Sequence, residues 1–400
     1  MKISNYTNPA PSQRQRFLAT LNGEIPDRPA FITRLETWYK SYARCGELPG
    51  RFAGMTLSEV HQAVGVGQLK FMCPYAFKLH DVEVSAALNG EQFYREYEPA
   101  IENFPGMWDY VSALKPGETV SELRTPAGTL RLRHAMLPEG VVNATEPYLK
   151  EKLIKTEDDL RVVEYILERA EFVSQYDMIS AEQQILGENA FVVPLLQRIP
   201  FQQALLEYFG EMELFYALND NPRQVTRLLY LLDQQMEEVI HHIASFDWPY
   251  IEFPDNLHAL MTNPQLFRRF CLPDLQKYTI MLHAQGKKVG SHTDGNIKPL
   301  LNLLADSGLD VCESVSPYPL TECTFDEIWE AWQNGPLIWG AIPSPILEET
   351  TNEADFCAYI DHLFATIGDS PIILGVVDLF MRHNSIERVS YIANRLTMMP

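Results

Sequence analysis

Gly286-Lys287-Lys288-Val289-Gly290-Ser291-His292-Thr293-Asp294-Gly295, a helix-length run from Lys298 to Ser307, and then Gly308-Leu309-Asp310-Val311-Cys312-Glu313 read as strand, helix, strand. Val289 to His292 and Leu309 to Glu313 are short apolar runs that end in polar residues, and glycines punctuate both. A strand, a helix and a second strand at this spacing form a parallel βα unit. His292 and Asp294 are two residues apart, so on an extended segment an imidazole and a carboxylate leave the same face. Glu313 ends the next strand, so two successive strand ends carry polar ligands. By the same alternation Cys312 points to the opposite face from Glu313.

The pattern continues in both directions. Phe191 to Leu195 and Pro249 to Phe253 read as strands, with a long helix from Arg223 to Ala244 between them, opened by Asn221-Pro222. Pro264 to Gln285, Phe325 to Gln333, Glu353 to Ile367 and Ser385 to Leu396 read as helices, and Leu337 to Ala341 and Ile372 to Val377 as strands. About five or six βα units thus occupy residues 190 to 400. One or two strands from the N-terminal half, Ala30-Phe31-Ile32 first among them, bring the count to the eight of an α/β (β/α)8 TIM barrel. A doubly wound sheet is disfavoured because no GxGxxG follows any strand.

The N-terminal half adds to the barrel. Residues 11 to 22 read as a helix, residues 80 to 136 are irregular, and Thr119 to Leu123 and Thr129 to His134 alternate around Pro126-Ala127-Gly128 as a β-hairpin. Thr156 stands as N-cap of an amphipathic helix reaching residue 170, with Asp159 three residues on. The expected organisation is one barrel domain over residues 1–400. Residues 1–150 would hold the first barrel strand and an irregular N-terminal elaboration, and residues 150–398 the regular βα units.

Composition narrows the setting. With 46% hydrophobic residues the chain can fill a large core, and a net charge of −21 without a Lys/Arg cluster argues against nucleic acid as a partner. The six cysteines form no CxxC pair, which argues against a disulfide framework or a thiolate zinc cluster. Met1 to Tyr6 lacks the apolar core of a leader and no run reaches membrane-spanning length, so a cytoplasmic protein without membrane attachment is expected.

Barrel enzymes gather their chemistry at the C-terminal ends of strands, where His292, Asp294, Glu313, Asp255 and Asp378 all fall. Arg34 and Glu36 follow the first strand on one side, as an ion pair or as substrate ligands. Asn256 beside Asp255 would bind substrate or shape a turn, and Arg198 would hold a substrate carboxylate. Trp38, Tyr39 and Tyr42 would either wall a pocket or pack in the core.

Residues Lys287 to Asn296, Leu309 to Pro317 and Ile373 to Asp378, with Asn221 to Val225 and Arg268 to Pro273, resemble the uroporphyrinogen decarboxylase superfamily over roughly residues 150–398. The resemblance implies the barrel, a homodimer, and one of three activities: porphyrinogen decarboxylation, corrinoid-linked methyl transfer, or cobalamin-independent methionine synthesis. This chain has one Arg34 followed by Glu36 where the decarboxylases are arginine-rich, and Val376 where they carry a histidine, so it resembles the methyltransferase branch. That branch holds zinc on His-x-Cys, a Glu and a last-strand Cys. The matching positions are His292, Asp294, Glu313 and Asp378, a hard donor set suited to zinc or, less well, to manganese or magnesium. Three other readings of the quartet stay open: metal-free acid–base chemistry, carboxylates that orient His292, and ion pairs at strand ends.

The expected activity is transfer of a methyl group from a small methylated substrate to a thiol or to a corrinoid protein, with the corrinoid carried by the partner. The alternatives are a metal-free and cofactor-free lyase acting on a porphyrinogen or a smaller carboxylated substrate, and a barrel that binds ligand without catalysis.

Overall fold

The computed structural model describes residues 10–46, 48–102, 104 and 115–398, so the Met1–Tyr6 segment read for a leader lies outside it. Eight parallel strands form one barrel: β1 (Ala30–Thr33), β2 (Gly67–Met72), β3 (Ala190–Pro194), β4 (Tyr250–Phe253), β5 (Lys288–His292), β6 (Val311–Val315), β7 (Leu337–Pro343) and β8 (Ile373–Val377). Each strand pairs with its neighbours in chain order, and β8 returns to β1. The ring closes at the β3–β4 seam through a parallel bridge between Leu195 and Glu252 and a 2.8 Å bond from the Leu196 amide to the Glu252 carbonyl. The fold is therefore a (β/α)8 barrel.

Alternation decides what fills it. Ala30, Ile32, Leu69, Phe191, Val193, Tyr250, Val311, Trp339 and Ile373 face inward as one apolar cluster. Intervening residues such as Phe31, Ile251, Val289, Cys312 and Leu374 face the helices and join the larger outer core. The helix Gln13–Leu21 plugs the N-terminal end: Phe17 lies 4.2 Å from the Phe191 ring and 4.9 Å from that of Trp339, centroid to centroid. A Ser12/Gln15 capping box starts this helix, and the Gln13 side chain accepts the Phe31 amide at 2.9 Å, which latches the plug to β1. Trp38 packs against Tyr42, Phe52 and Phe380, so these rings belong to the core.

The N-terminal half supplies two barrel strands, the upper of the one or two expected, and the irregular elaboration runs past residue 150 as far as β3. The second of these strands is β2, whose Gln68 and Lys70 alternate with Leu69 and Phe71 and disguise its burial; Gln68 accepts from Ser58 at 2.8 Å and Lys70 pairs with Glu182 at 2.5 Å. The elaboration is an insertion between β2 and β3. The hairpin strands Gly117–Thr125 and Gly128–Met136 form part of a five-stranded antiparallel sheet, and Tyr75–Leu79, Ala100–Ile101 and Ala170–Ser174 form a three-stranded one. Thr156 and Asp159 make the predicted capping box, but their helix Glu157–Leu167 belongs to this insertion and the barrel resumes only at Ala190. No helix among the described residues is long and apolar enough to cross a membrane.

Candidate active site

The site is built on β4, β5 and β6. His292 and Glu313 are ladder partners, so both side chains rise from the inward face at the C-terminal mouth, and His292 Nδ1 contacts Glu313 Oε2. The Thr293 amide and hydroxyl each bond the Glu313 carbonyl at 2.8 Å, pinning the β5 loop to β6. On β4, Tyr250 and Glu252 share the inward face, and the Tyr250 hydroxyl donates to Glu252 Oε2 at 2.8 Å. Gly290, paired with Glu252, makes this possible: a Cβ there would stand 1.9 Å from the Tyr250 hydroxyl oxygen.

The far side of the imidazole is organised too. Asp294 Oδ2 lies 3.4 Å from His292 Nε2 and accepts from Asn256 Nδ2 at 3.0 Å. Arg198 Nη1 donates to Asn256 Oδ1 at 3.0 Å, and its Nε lies 3.1 Å from Glu207. Asn256, Ser314 and Asp378 all adopt left-handed backbone at strand ends, with φ of 51°, 59° and 61°. Such conformations cost energy in non-glycine residues and recur where a site dictates the backbone.

Electrostatics follow from this crowding. Burial by itself would lower the His292 pKa, but the Glu313 and Asp294 charges outweigh it and hold the imidazole well above 6.5. Burial, reinforced by Glu313, pushes Glu252 well above the usual carboxyl range. Burial also opposes ionisation of Asp294, yet His292 and the Asn256 bond bring its pKa below the ordinary value.

Above these residues opens a cleft. A cavity of about 540 Å³ is lined by His292, Glu313, Asp294, Arg34 and Asp378, and it adjoins one of about 570 Å³ that reaches Glu252 and shares His292 and Arg34. Arg34 forms a 2.6 Å ion pair with Glu36 at the rim and lies 5.3 Å from the centroid of the Phe71 ring. Phe71 in turn meets the His292 ring edge to face at 6.2 Å.

The structure thus brings together His292, Glu313, Asp294, Asn256 and Arg198, with Arg34 and Glu36 on the cleft wall. Asp378 lines the cleft but is not in the group, among the described residues, whose ligand atoms lie within 4.8 Å of one another; that group is Glu252, His292 and Glu313. Asp255 turns away: it is fully buried, accepts the Ile199 amide at 2.9 Å and the Ser291 hydroxyl at 3.0 Å, and lines neither cavity. Glu252 is the residue that sequence reasoning passed over. Its signal was an acid two residues after Tyr250 in an otherwise apolar strand, on the side that alternation turns inward.

No protein-family model and no curated protein matches the chain. Among solved structures, a methyltransferase from Methanosarcina mazei is similar, at 12% identity and a TM-score of 0.56, over 97% of this chain and 99% of that one. A structure concerning the pneumococcal virulence factor StrH and N-glycan recognition and hydrolysis is 10% identical over 86% of this chain and 80% of that one, and its TM-score of 0.34 carries no argument. At such identities the first likeness speaks for the barrel alone. The likeness to the uroporphyrinogen decarboxylase superfamily remains a matter of the sequence motifs.

Proposed function

We propose that the chain is an enzyme that moves a methyl group from a small methylated substrate to a corrinoid protein or a thiol, with His292 at the reacting end of the cleft. The observation that carries this reading is the convergence of Glu313, Asp294 and Glu252 on one imidazole, beneath a cleft of small-molecule size at the C-terminal mouth of the barrel. The likeness to a methyltransferase over almost the full length of both chains supplies the barrel frame for it.

In the reaction the bond between heteroatom and methyl breaks, its electron pair stays on the heteroatom, and the methyl carbon bonds to the acceptor nucleophile. In the metal-free state His292, its pKa raised by Glu313 and Asp294, would pass its Nε2 proton to the departing heteroatom in place of the 3.4 Å contact with Asp294, while Glu313 holds the ring through Nδ1. Asn256 and Arg198 fix Asp294 in turn, and Arg34 lies on the cleft wall where substrate enters. The centre also fits a divalent cation, because it gathers an imidazole and two carboxylates, and Glu252 Oε1 is buried without a hydrogen-bond partner among the described residues. Such an ion, zinc before manganese or magnesium, would supply Lewis acidity at the same heteroatom.

The test is transfer from N-, O- and S-methyl donors to a free corrinoid, a corrinoid protein or a thiol, followed by the visible spectrum of the methylated corrinoid and mass spectrometry of the thioether. Activity should fall by about 10²–10⁴ in His292→Ala. Absence of transfer from every donor class by folded, metal-supplemented protein would sink the proposal.

Glu252 also motivates a lyase reading, since burial raises its pKa and a carboxyl that holds its proton more tightly can deliver it to a carbanion. Carbon dioxide release from a porphyrinogen or smaller carboxylic acid by metal-free protein would favour it.

A further inference from the structure

We propose that Glu252 is a direct ligand of a divalent cation, in a Glu252–His292–Glu313 centre where Asp294 acts as the outer partner of the imidazole and Asp378 takes no part. The inference rests on the reading that this centre holds a metal, and it departs from the His292, Asp294, Glu313 and Asp378 set expected from the sequence.

The two nitrogens of His292 are already divided between neighbours. Nδ1 faces Glu313, and Nε2 faces Asp294 at 3.4 Å. An imidazole that gives one nitrogen to a metal characteristically donates its other N–H to a carboxylate, which fixes the tautomer and raises ligand basicity. Asp294 stands where that carboxylate belongs, and Asn256, itself held by Arg198, aims it there.

Glu252 supplies an independent indication. It is 0% exposed, Tyr250 satisfies Oε2, and Oε1 is buried with no hydrogen-bond partner among the described residues. A buried carboxylate oxygen without a donor is costly, and a cation shared with Glu313 and His292 would satisfy it. Two carboxylates and a neutral imidazole also balance a double positive charge within the barrel.

Position and hardness agree. His292 and Glu313 line one cavity, and Glu252 and His292 the other, so an ion among the three would keep an open coordination position toward the cleft, as catalytic metal sites do. No thiolate joins them, because Cys312 faces the helix layer. The oxygen-rich set suits Zn²⁺ or Mn²⁺ better than a soft ion such as Cu⁺.

The experiment is calorimetric titration of chelator-treated full-length protein with Zn²⁺ and with Mn²⁺, checked by elemental analysis. Wild type should bind one ion. Glu252→Gln should lose affinity at least as severely as Glu313→Gln, whereas Asp294→Asn keeps one ion with affinity lowered about 10–100-fold. Asp378→Asn keeps the wild-type affinity. Since Glu252→Gln could disturb packing, Tyr250→Phe serves as a second variant that keeps the carboxylate: it should retain one ion. Far-UV circular dichroism confirms the fold in each case, and the Co²⁺-loaded protein should show d–d bands without thiolate charge transfer. Wild-type binding in Glu252→Gln, loss of the ion in Asp294→Asn beyond that in Glu252→Gln, or no ion in wild type overturns the assignment. Methyl transfer is measured separately, so metal binding without transfer counts against the proposed reaction and leaves the ligand assignment intact.

Discussion

Single atoms govern this site, and Gly290 shows how. A Cβ at this position would stand 1.9 Å from the Tyr250 oxygen and 2.7 and 3.0 Å from two ring carbons. Gly290→Ala should therefore cost about 1–3 kcal/mol in chemical denaturation. Adding Tyr250→Phe should recover only part of it, because the ring carbons still clash. Titration is a second effect at this scale. The folded pKa values of His292 and Glu252 both lie above their ordinary 6.5 and 4.5, so each proton is bound more tightly in the native state. Their stabilisation is fully present below those ordinary values and is lost as pH rises through the folded ones. Asp294, with its lowered pKa, contributes in the opposite sense, losing its share as pH falls below 3.8. In chelator-treated protein the melting temperature should fall from pH 6.5 upward toward alkaline pH, and His292→Gln should flatten that slope. An unchanged slope in the variant would refute the assignment of the titrating group. Glu252 was present to be read as the acid of Tyr250-Ile251-Glu252-Phe253, but only the proximity of β5 and β6 gives it partners.

Among the elements, the plug helix Gln13–Leu21 carries more than its length suggests. Phe17 is fully buried and touches the Phe191, Trp339 and Tyr250 rings, so it completes the apolar core at the N-terminal end of the barrel, opposite the mouth that holds the site. Phe17→Ala should destabilise the protein by about 3–5 kcal/mol, read from denaturation midpoints, through lost burial and the void left behind. A loss well under 1 kcal/mol would show that the barrel floor does not depend on this ring. The helix itself was legible from residues 11 to 22; its docking was not, because the Gln13 bond to the Phe31 amide joins parts of the chain that no local pattern connects. The strand β2 escaped recognition for a related reason. Lys70 and Gln68 look like solvent-facing residues until Glu182 and Ser58 are seen beside them.

At the scale of the whole molecule, the barrel depends on its thinnest seam, between β3 and β4. The Leu195–Glu252 bridge and the Leu196 amide bond close it, and buried Asp255 reinforces it by accepting from Ile199 and Ser291. Asp255→Ala strands both donors in the interior and should cost about 1–3 kcal/mol for each. Amide hydrogen exchange at Leu196 should speed up relative to the strands on the opposite wall, and equal protection would show that the seam closes without Asp255. The sequence by itself determined the barrel and pointed to the mouth where the candidate site lies, because hydrophobic periodicity is local and barrel enzymes gather their chemistry at the C-terminal ends of strands. It also marked His292, Asp294 and Glu313, since polar residues at successive strand ends are conspicuous. Only the tertiary structure decided which of these side chains meet. It put Asp255 into the wall, left Asp378 on the cleft lining, turned Asn256 and Arg198 into supports for Asp294, and brought Glu252 to the imidazole. Those outcomes depend on the register of strands tens of residues apart, where a shift of one residue sends a side chain to the other face.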